Sequence, residues 1–191
     1  MLSPLKRHPD SRGAPAVQVQ VQAMRPRPHQ LRLRYLLTGE LSGLRLPPVQ
    51  PPERTDDLWR HTCLEAFLRT PGHAYYEFNF APSTRWAAYR LESYRSGMAT
   101  AETVGAPQMN STATPDRYEF EVELDLAGLP ELPPADTWTL GVSAVLEDAE
   151  GAVTYWALAH PPGKPDFHHP DSFVLHLPPP ATPPETPPDP A

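Results

Sequence analysis

Hydrophobic and polar residues alternate with a period of two along several segments of this chain. In 17–22 valine alternates with glutamine, and in 31–35 leucine and tyrosine alternate with arginine. In 118–126 apolar residues alternate with acidic ones. Because side chains two apart share one face of a strand, each segment predicts a β-strand with one apolar and one solvated face. We interpret the acidic row as the solvent side of a sheet, with a cation site as the alternative.

Other segments are rich in apolar, β-branched or aromatic residues and are separated by turn residues such as the Thr-Pro-Gly at 70–72. No segment shows a capped amphipathic helix of about 12 residues or more. About nine short strands with one apolar face each predict an all-β fold, a single antiparallel β-sandwich. The further strands are expected over 62–69, 74–80, 86–91, 137–146, 152–158 and 172–177.

Composition narrows the range of functions. The 191 residues are about one domain's worth, and the formal net charge of −7 argues against a general nucleic-acid binder. The single cysteine, Cys63, cannot close an intramolecular disulfide. No secretory signal peptide and no apolar run of about 18 residues is visible. We therefore expect a cytoplasmic protein that contacts neither nucleic acid nor membrane.

Proline is the unusual component, with 28 residues in the chain. The segment 178–191 is dense in proline and has no large apolar side chain to bury, so it predicts a disordered tail. Alternatively, the tail binds a protein partner that recognises proline-rich peptides. We expect a flexible N-terminal arm over 1–15, the sandwich domain over 16–177 and the disordered tail beyond it.

The segments 54–69 and 74–80 place aromatic, carboxylate and amide residues on shared strand faces. A buried carboxylate is costly unless it is paired, hydrogen-bonded or facing a ligand. Aromatic rings stack on the C–H face of a sugar, while carboxylates and amides bind its hydroxyls. The pattern predicts a saccharide-binding face, and mutual hydrogen bonding on a sheet surface is the alternative. The candidate ligand residues of these segments are Trp59, Glu65, Tyr75, Glu77 and Asn79.

Three stretches together resemble the DOMON-like group related to family 9 carbohydrate-binding modules. They are 56–67, then 75–83 with the Trp-Ala-Ala-Tyr at 86–89, and finally 155–173. The likeness spans roughly 54–177, most of the predicted sandwich. It implies a β-sandwich without catalysis of its own that binds carbohydrate or, in other relatives, haem.

The resemblance also implies roles for individual residues. Trp59 matches the first sugar-stacking tryptophan of these modules and Glu65 matches their hydroxyl-binding carboxylate, whereas Glu77 stands where they tend to carry an arginine. A second stacking ring is expected near the closing stretch, where Trp156 and Phe167 are the available rings. The candidate ligand residues of the later stretches are Trp86, Trp156, Phe167, His168 and His169.

A histidine cluster near the C-terminal end of the sandwich offers an alternative chemistry. His160, His169 and His176 with Met98 are candidate ligands for a divalent metal, and a histidine with Met98 or Met109 is a candidate haem ligand pair. The surrounding prolines indicate a rigid loop whose histidines satisfy backbone groups instead. We expect no resident cofactor, with haem or metal as the alternative.

An enzyme is the remaining class. Glu65 and Glu77 are a candidate glycosidase pair, but only their separation would support that role. Cys63 falls at a buried mid-strand position, where a thiol is inert packing. The chain has no phosphate-binding loop, no dinucleotide fingerprint and no G-x-S-x-G motif. The sequence therefore predicts a binding module and not an enzyme, with a protein-interaction module as a further alternative.

Overall fold

The computed structural model describes residues 1–11 and 16–181, which form two antiparallel β-sheets packed over one core. Three single-turn 3-10 segments connect some of the strands, and the described residues contain no α-helix. The predicted antiparallel β-sandwich is confirmed. The strands are β1 (Ser3–Pro4), β2 (Lys6–Arg7), β3 (Val17–Arg27), β4 (Gln30–Gly39), β5 (Cys63–Arg69), β6 (Tyr75–Phe80), β7 (Trp86–Leu91), β8 (Ala99–Thr100), β9 (Gln108–Thr114), β10 (Arg117–Asp125), β11 (Trp138–Glu147), β12 (Val153–Ala157) and β13 (Leu175–Leu177).

The smaller sheet has five strands in the order β1-β3-β4-β10-β9. The larger sheet has eight strands, seven of them in the order β2-β12-β11-β5-β6-β7-β8. Its eighth strand, β13, pairs with one end of β11, whereas β12 pairs with the other end. Strands β5 and β6 therefore lie in the middle of the larger sheet, where both of their edges are hydrogen-bonded.

The core lies between the sheets and is built from the inward-facing residues of each strand. On β4 the alternating Leu31, Leu33 and Tyr35 are fully buried. The Tyr35 hydroxyl donates to the carbonyl oxygen of Glu65 across the core at 2.7 Å, which ties the two sheets together. Burying one such side chain stabilises the fold by about 1.5–3 kcal/mol. The larger sheet contributes Leu64, Ala66, Leu68, Phe78, Phe80, Leu140 and Val142 to the same core.

The outer face of the smaller sheet carries cross-strand ion pairs. Arg32 on β4 pairs with Glu123 on β10 at 2.6 Å, and Arg34 pairs with Glu119. Hydrogen bonds from Arg34 and Arg117 lower the pKa of the Glu119 carboxyl to about 2. The acidic row of 118–126 is therefore the outward side of a sheet, as the alternation predicts.

Each of the nine predicted strands is present, and four more accompany them. Strands β1, β2 and β8 have two residues each, too few to show a pattern. Strand β9 (Gln-Met-Asn-Ser-Thr-Ala-Thr) is a mostly exposed edge strand of the smaller sheet. Because polar residues occupy both of its faces, the alternation that identifies the other strands is missing.

The N-terminal residues differ from the flexible arm that the sequence predicts. Strand β1 pairs with β3 and β2 pairs with β12, so residues 3–7 add a short strand to one edge of each sheet. Leu5, between them, is only 5% exposed, and its amide donates to the carbonyl oxygen of Val19. Burial of this one apolar side chain orders a segment whose prolines and charges suggest flexibility.

The remaining boundaries stay predictions. Residues 12–15 and 182–191 lie outside the described residues, so the expectation of a disordered tail falls largely on a segment that the structure does not describe. The described part of the chain contains no helix with the length and apolar character that crossing a membrane requires.

Candidate ligand-binding site

A cavity of about 970 Å³ opens on the outer face of the larger sheet. Strands β5, β6, β7, β11 and β12 supply its floor, and three further segments supply its walls: 56–59, 95–100 and 164–168. The residues that line the floor and walls are Asp56, Asp57, Trp59, Glu65, Phe67, Glu77, Tyr89, Leu91, Arg95, Met98, Ala99, Thr100, Val145, Tyr155, Lys164, Pro165, Phe167 and His168.

Strand register brings the two buried carboxylates of the floor together. Glu65 on β5 lies opposite Asn79 on β6, and Phe67 lies opposite Glu77. All four side chains point to the outer face of the sheet, because residues two apart along a strand, and residues directly opposite each other on neighbouring strands, lie on the same face. Glu65 and Glu77 are therefore diagonal neighbours on adjacent strands, with the amide of Asn79 beside them.

The Glu65 carboxyl is only 2% exposed. Its Oε2 accepts a hydrogen bond from the Ser143 hydroxyl at 2.9 Å. Burial, with a smaller contribution from the neighbouring Glu77, raises the pKa of Glu65 to about 8. At neutral pH this side chain is mostly protonated, and it then presents a hydrogen-bond donor as well as acceptors.

Glu77 is 6% exposed and is held from one side. Its Oε1 accepts a hydrogen bond from the Asn79 amide at 2.8 Å. Its Oε2 lies 3.9 Å from Nε2 of His168, too far for a hydrogen bond. Burial raises the pKa of Glu77, while the Asn79 bond and the charge of Arg95 oppose that shift.

His168 closes one wall of the cavity as a neutral ring. Its Nδ1 lies 2.8 Å from the Tyr75 hydroxyl, and its ring packs edge-on against Phe67. Burial and the nearby Arg95 charge lower the pKa of His168 to about 4. Its backbone amide donates to Asp166, which also accepts from the Arg95 guanidinium at 2.8 Å. One carboxylate thus joins the 164–168 loop to the turn that carries Arg95.

The rim combines an exposed ring with strained backbone. Trp59 is 49% exposed, and the Arg60 guanidinium lies 5.0 Å from the centre of its ring. Asp57 and Arg95 both adopt left-handed backbone, with φ of 61° and 51°. Non-glycine residues in this region cost about 1–3 kcal/mol each and cluster at ligand sites. On the floor, the Tyr89 hydroxyl donates to Asp56.

Five of the predicted ligand residues line this cavity, and two more support it. Tyr75 and Asn79 do not line the cavity, but they hold His168 and Glu77 by the hydrogen bonds described above. The expected grouping of rings and carboxylates is therefore present as geometry, while its binding role stays a prediction. The lining residues that the sequence identified are Trp59, Glu65, Glu77, Phe167 and His168.

Three predicted ligand residues lie elsewhere. Trp86 pairs with Phe80 and Trp156 pairs with Ala144, so both tryptophan side chains turn into the core between the sheets and do not line the cavity. His169 lies just beyond the cavity wall, where its Nδ1 accepts from the amide of the 3-10 turn at 170–172. The sequence shows these rings near the site, but it does not show the strand register that turns the two tryptophans into the core or the turn that holds His169.

The sequence reasoning missed several lining residues. Arg95 and Lys164 come from connections between strands, where no periodic pattern marks a residue as pointing inward, and Met98 was predicted only as a metal or haem ligand. Tyr89 was recoverable, because it ends the Trp-Ala-Ala-Tyr stretch at 86–89. Asp56 was recoverable too, as part of the quoted stretch 56–67.

The proposed metal ligands do not come together. Nε2 of His160 lies 2.7 Å from the carbonyl oxygen of Lys6, His176 lies beside the Thr139 hydroxyl, and Met98 is 63% exposed at the cavity. His169 caps a turn instead. Within residues 1–11 and 16–181 no three His, Cys, Asp or Glu side chains are close enough together to hold a metal ion. His160 and His169 bond backbone groups, as the surrounding prolines favour, whereas His168 and His176 lie against side-chain hydroxyls.

No protein-family model and no curated protein matches the chain, but solved structures do. A protein from Bacteroides uniformis described as a candidate for carbohydrate binding superposes with a TM-score of 0.64 and 16% identity, over 93% of this chain and 85% of that one. A family 9 carbohydrate-binding module from Caldicellulosiruptor kristjanssonii, in complex with glucose, superposes with a TM-score of 0.51 and 10% identity, over 91% and 83% of the two chains. At these identities the likeness is one of fold.

Proposed function

We propose that this protein is a non-catalytic binding module that holds a saccharide in the cavity on the outer face of its larger sheet. The proposal rests on one observation: the exposed ring of Trp59 and the buried carboxyl groups of Glu65 and Glu77 line the same cavity. Its volume of about 970 Å³ lies within the range of small-molecule sites.

The lining supplies both kinds of contact that a sugar needs. Rings of Trp59, Phe67 and Phe167 offer apolar faces for the C–H side of a pyranose. The free Oε2 of Glu77 accepts from a hydroxyl, and the protonated carboxyl of Glu65 donates to one. Fold likeness to a module whose structure holds glucose supports the same assignment.

A binding role fits the carboxylates better than glycoside hydrolysis does. A glycosidase needs two carboxyl groups that flank the scissile bond. Here both groups lie side by side on the floor, where Ser143 and Asn79 hold one oxygen of each. We propose accordingly that the module acts without catalysis and without a resident cofactor. Its partner is then a small saccharide and not a nucleic acid.

A saccharide array followed by calorimetry on the hits tests this function. Trp59→Ala is expected to weaken binding at least about fivefold, taking for the sugar the roughly 1–3 kcal/mol that stacking of a base on one aromatic ring contributes. The control is Val49→Ala, an equally simple truncation of an exposed residue away from the cavity. An array without hits, or hits that Trp59→Ala leaves unchanged, would overturn the proposal.

A further inference from the structure

The cavity is lined by more acidic than basic side chains. Asp56, Asp57 and Glu77 contribute acidic groups and Arg95 and Lys164 contribute cationic ones, while the carboxyl of Glu65 is mostly protonated at neutral pH and adds no charge. The Arg95 guanidinium is already engaged by Asp166, which does not line the cavity. His168 adds no positive charge at neutral pH, because burial keeps its pKa near 4. A bound cation would therefore meet a surplus of negative charge.

Each carboxyl of the floor has one oxygen without a hydrogen-bond partner among the described residues, Oε1 of Glu65 and Oε2 of Glu77. Glu77 is more than nine-tenths buried and faces the cavity, and only its Oε1 is bonded, to Asn79. Its Oε2 has His168 Nε2 at 3.9 Å, beyond hydrogen-bond distance. This oxygen faces the cavity, so a donor on a ligand can reach it and form the hydrogen bond that the protein does not supply.

The walls around this oxygen also suit a cation. Glu77 on β6 lies opposite Phe67 on β5 and opposite Tyr89 on β7, so aromatic rings flank the carboxylate on the same face of the sheet. Ring faces attract a cation, and they exclude the water that would weaken its ion pair with a carboxylate. Apolar walls and an unpartnered carboxylate together are typical of sites for an ammonium group.

From this geometry we infer that the cavity selects an amino sugar, with the protonated amine of the ligand bound at Oε2 of Glu77. The inference rests on the proposed function and deepens it, since it names the class of saccharide. The ammonium group donates to Glu77 while the ring of the sugar lies against the aromatic walls. A neutral sugar places only a hydroxyl at the same oxygen.

Calorimetric titrations with glucosamine, glucose and N-acetylglucosamine test the inference, at about pH 6 so that the amine is protonated. Glucosamine is expected to bind at least about tenfold more tightly than either neutral sugar, because charge-assisted hydrogen bonds are roughly twice as strong as neutral ones. In Glu77→Gln the affinity ratio of glucosamine to glucose should fall to about one. Glu121→Gln, the same change on the outer face of the smaller sheet, is the control and should keep the ratio.

The outcomes separate this inference from the proposed function. Glucosamine bound no more tightly than glucose overturns the inference and leaves saccharide binding intact. If none of these three sugars binds but a different neutral saccharide does, the inference is also overturned. If no saccharide binds at all, the proposed function itself is overturned. Should Glu77→Gln fail to fold, the comparison of charged and acetylated amine on the unaltered protein still decides the matter.

Discussion

Replacing Glu65 by glutamine is expected to flatten the pH dependence of stability. In the folded protein, burial raises the pKa of Glu65 from its usual 4.5 to about 8. Below about pH 4.5 the carboxyl is protonated in both the folded and unfolded chains, so it contributes no pH dependence there. As the pH rises further, the unfolded chain ionises first, and the folded state loses stability until the pH passes the folded pKa of about 8.

The magnitude follows from that pKa. One pH unit between the unfolded and folded pKa values corresponds to about 1.4 kcal/mol, so the wild type should lose about 3 kcal/mol between about pH 4.5 and about pH 7 through this group alone. Glutamine does not titrate and can still accept from the Ser143 hydroxyl. The free energy of unfolding of Glu65→Gln, relative to wild type, should therefore rise by about 3 kcal/mol across that range.

Urea denaturation of both proteins at several pH values measures this difference, and Glu121→Gln on the smaller sheet serves as the surface control. Taking the difference between variant and wild type cancels the titration of other groups, including His168. Parallel curves for Glu65→Gln and wild type from acid to neutral pH would refute the argument, because the carboxyl would then not be held protonated by burial.

The structure supports three further predictions. His168→Gln should retain more stability than wild type as the pH falls from about 6.5 towards 4, because the folded state holds the imidazole neutral while the unfolded chain protonates it; urea denaturation measures this. Arg25→Ala should lower the free energy of unfolding by about 2–4 kcal/mol, because the Arg25 guanidinium donates to three backbone carbonyls and lies 3.6 Å from the Trp138 ring centre. The control Arg27→Ala removes an exposed arginine and should leave the free energy of unfolding near that of wild type. Cys63 should react with a thiol reagent only after denaturation, because burial raises its pKa; rapid labelling of the native protein would contradict this.

Local alternation was enough to predict the sandwich because most strands bury one face against a single core. β3, β4 and β10 each have an apolar face and a solvated one. β5 and β6 are buried on both faces, since the cavity walls cover their outer side. Their polar residues, Glu65, Glu77 and Asn79, therefore marked the site: polar side chains inside buried strands need a partner or a ligand.

What the sequence did not reveal depends on contacts between distant segments. Trp86 and Trp156 appear near the site in the chain, but only strand register shows that their side chains turn into the core. Arg95 reaches the cavity from a tight turn with left-handed backbone, anchored by Asp166 seventy-one residues further along. Neither register nor loop contacts leave a periodic signal in the sequence.

A crystal structure of the protein with glucosamine would show where the saccharide binds. We expect the sugar in the cavity on the larger sheet, with its ring against Trp59 or Phe167 and its amine about 3 Å from Oε2 of Glu77. A sugar bound instead on the outer face of the smaller sheet would contradict this expectation.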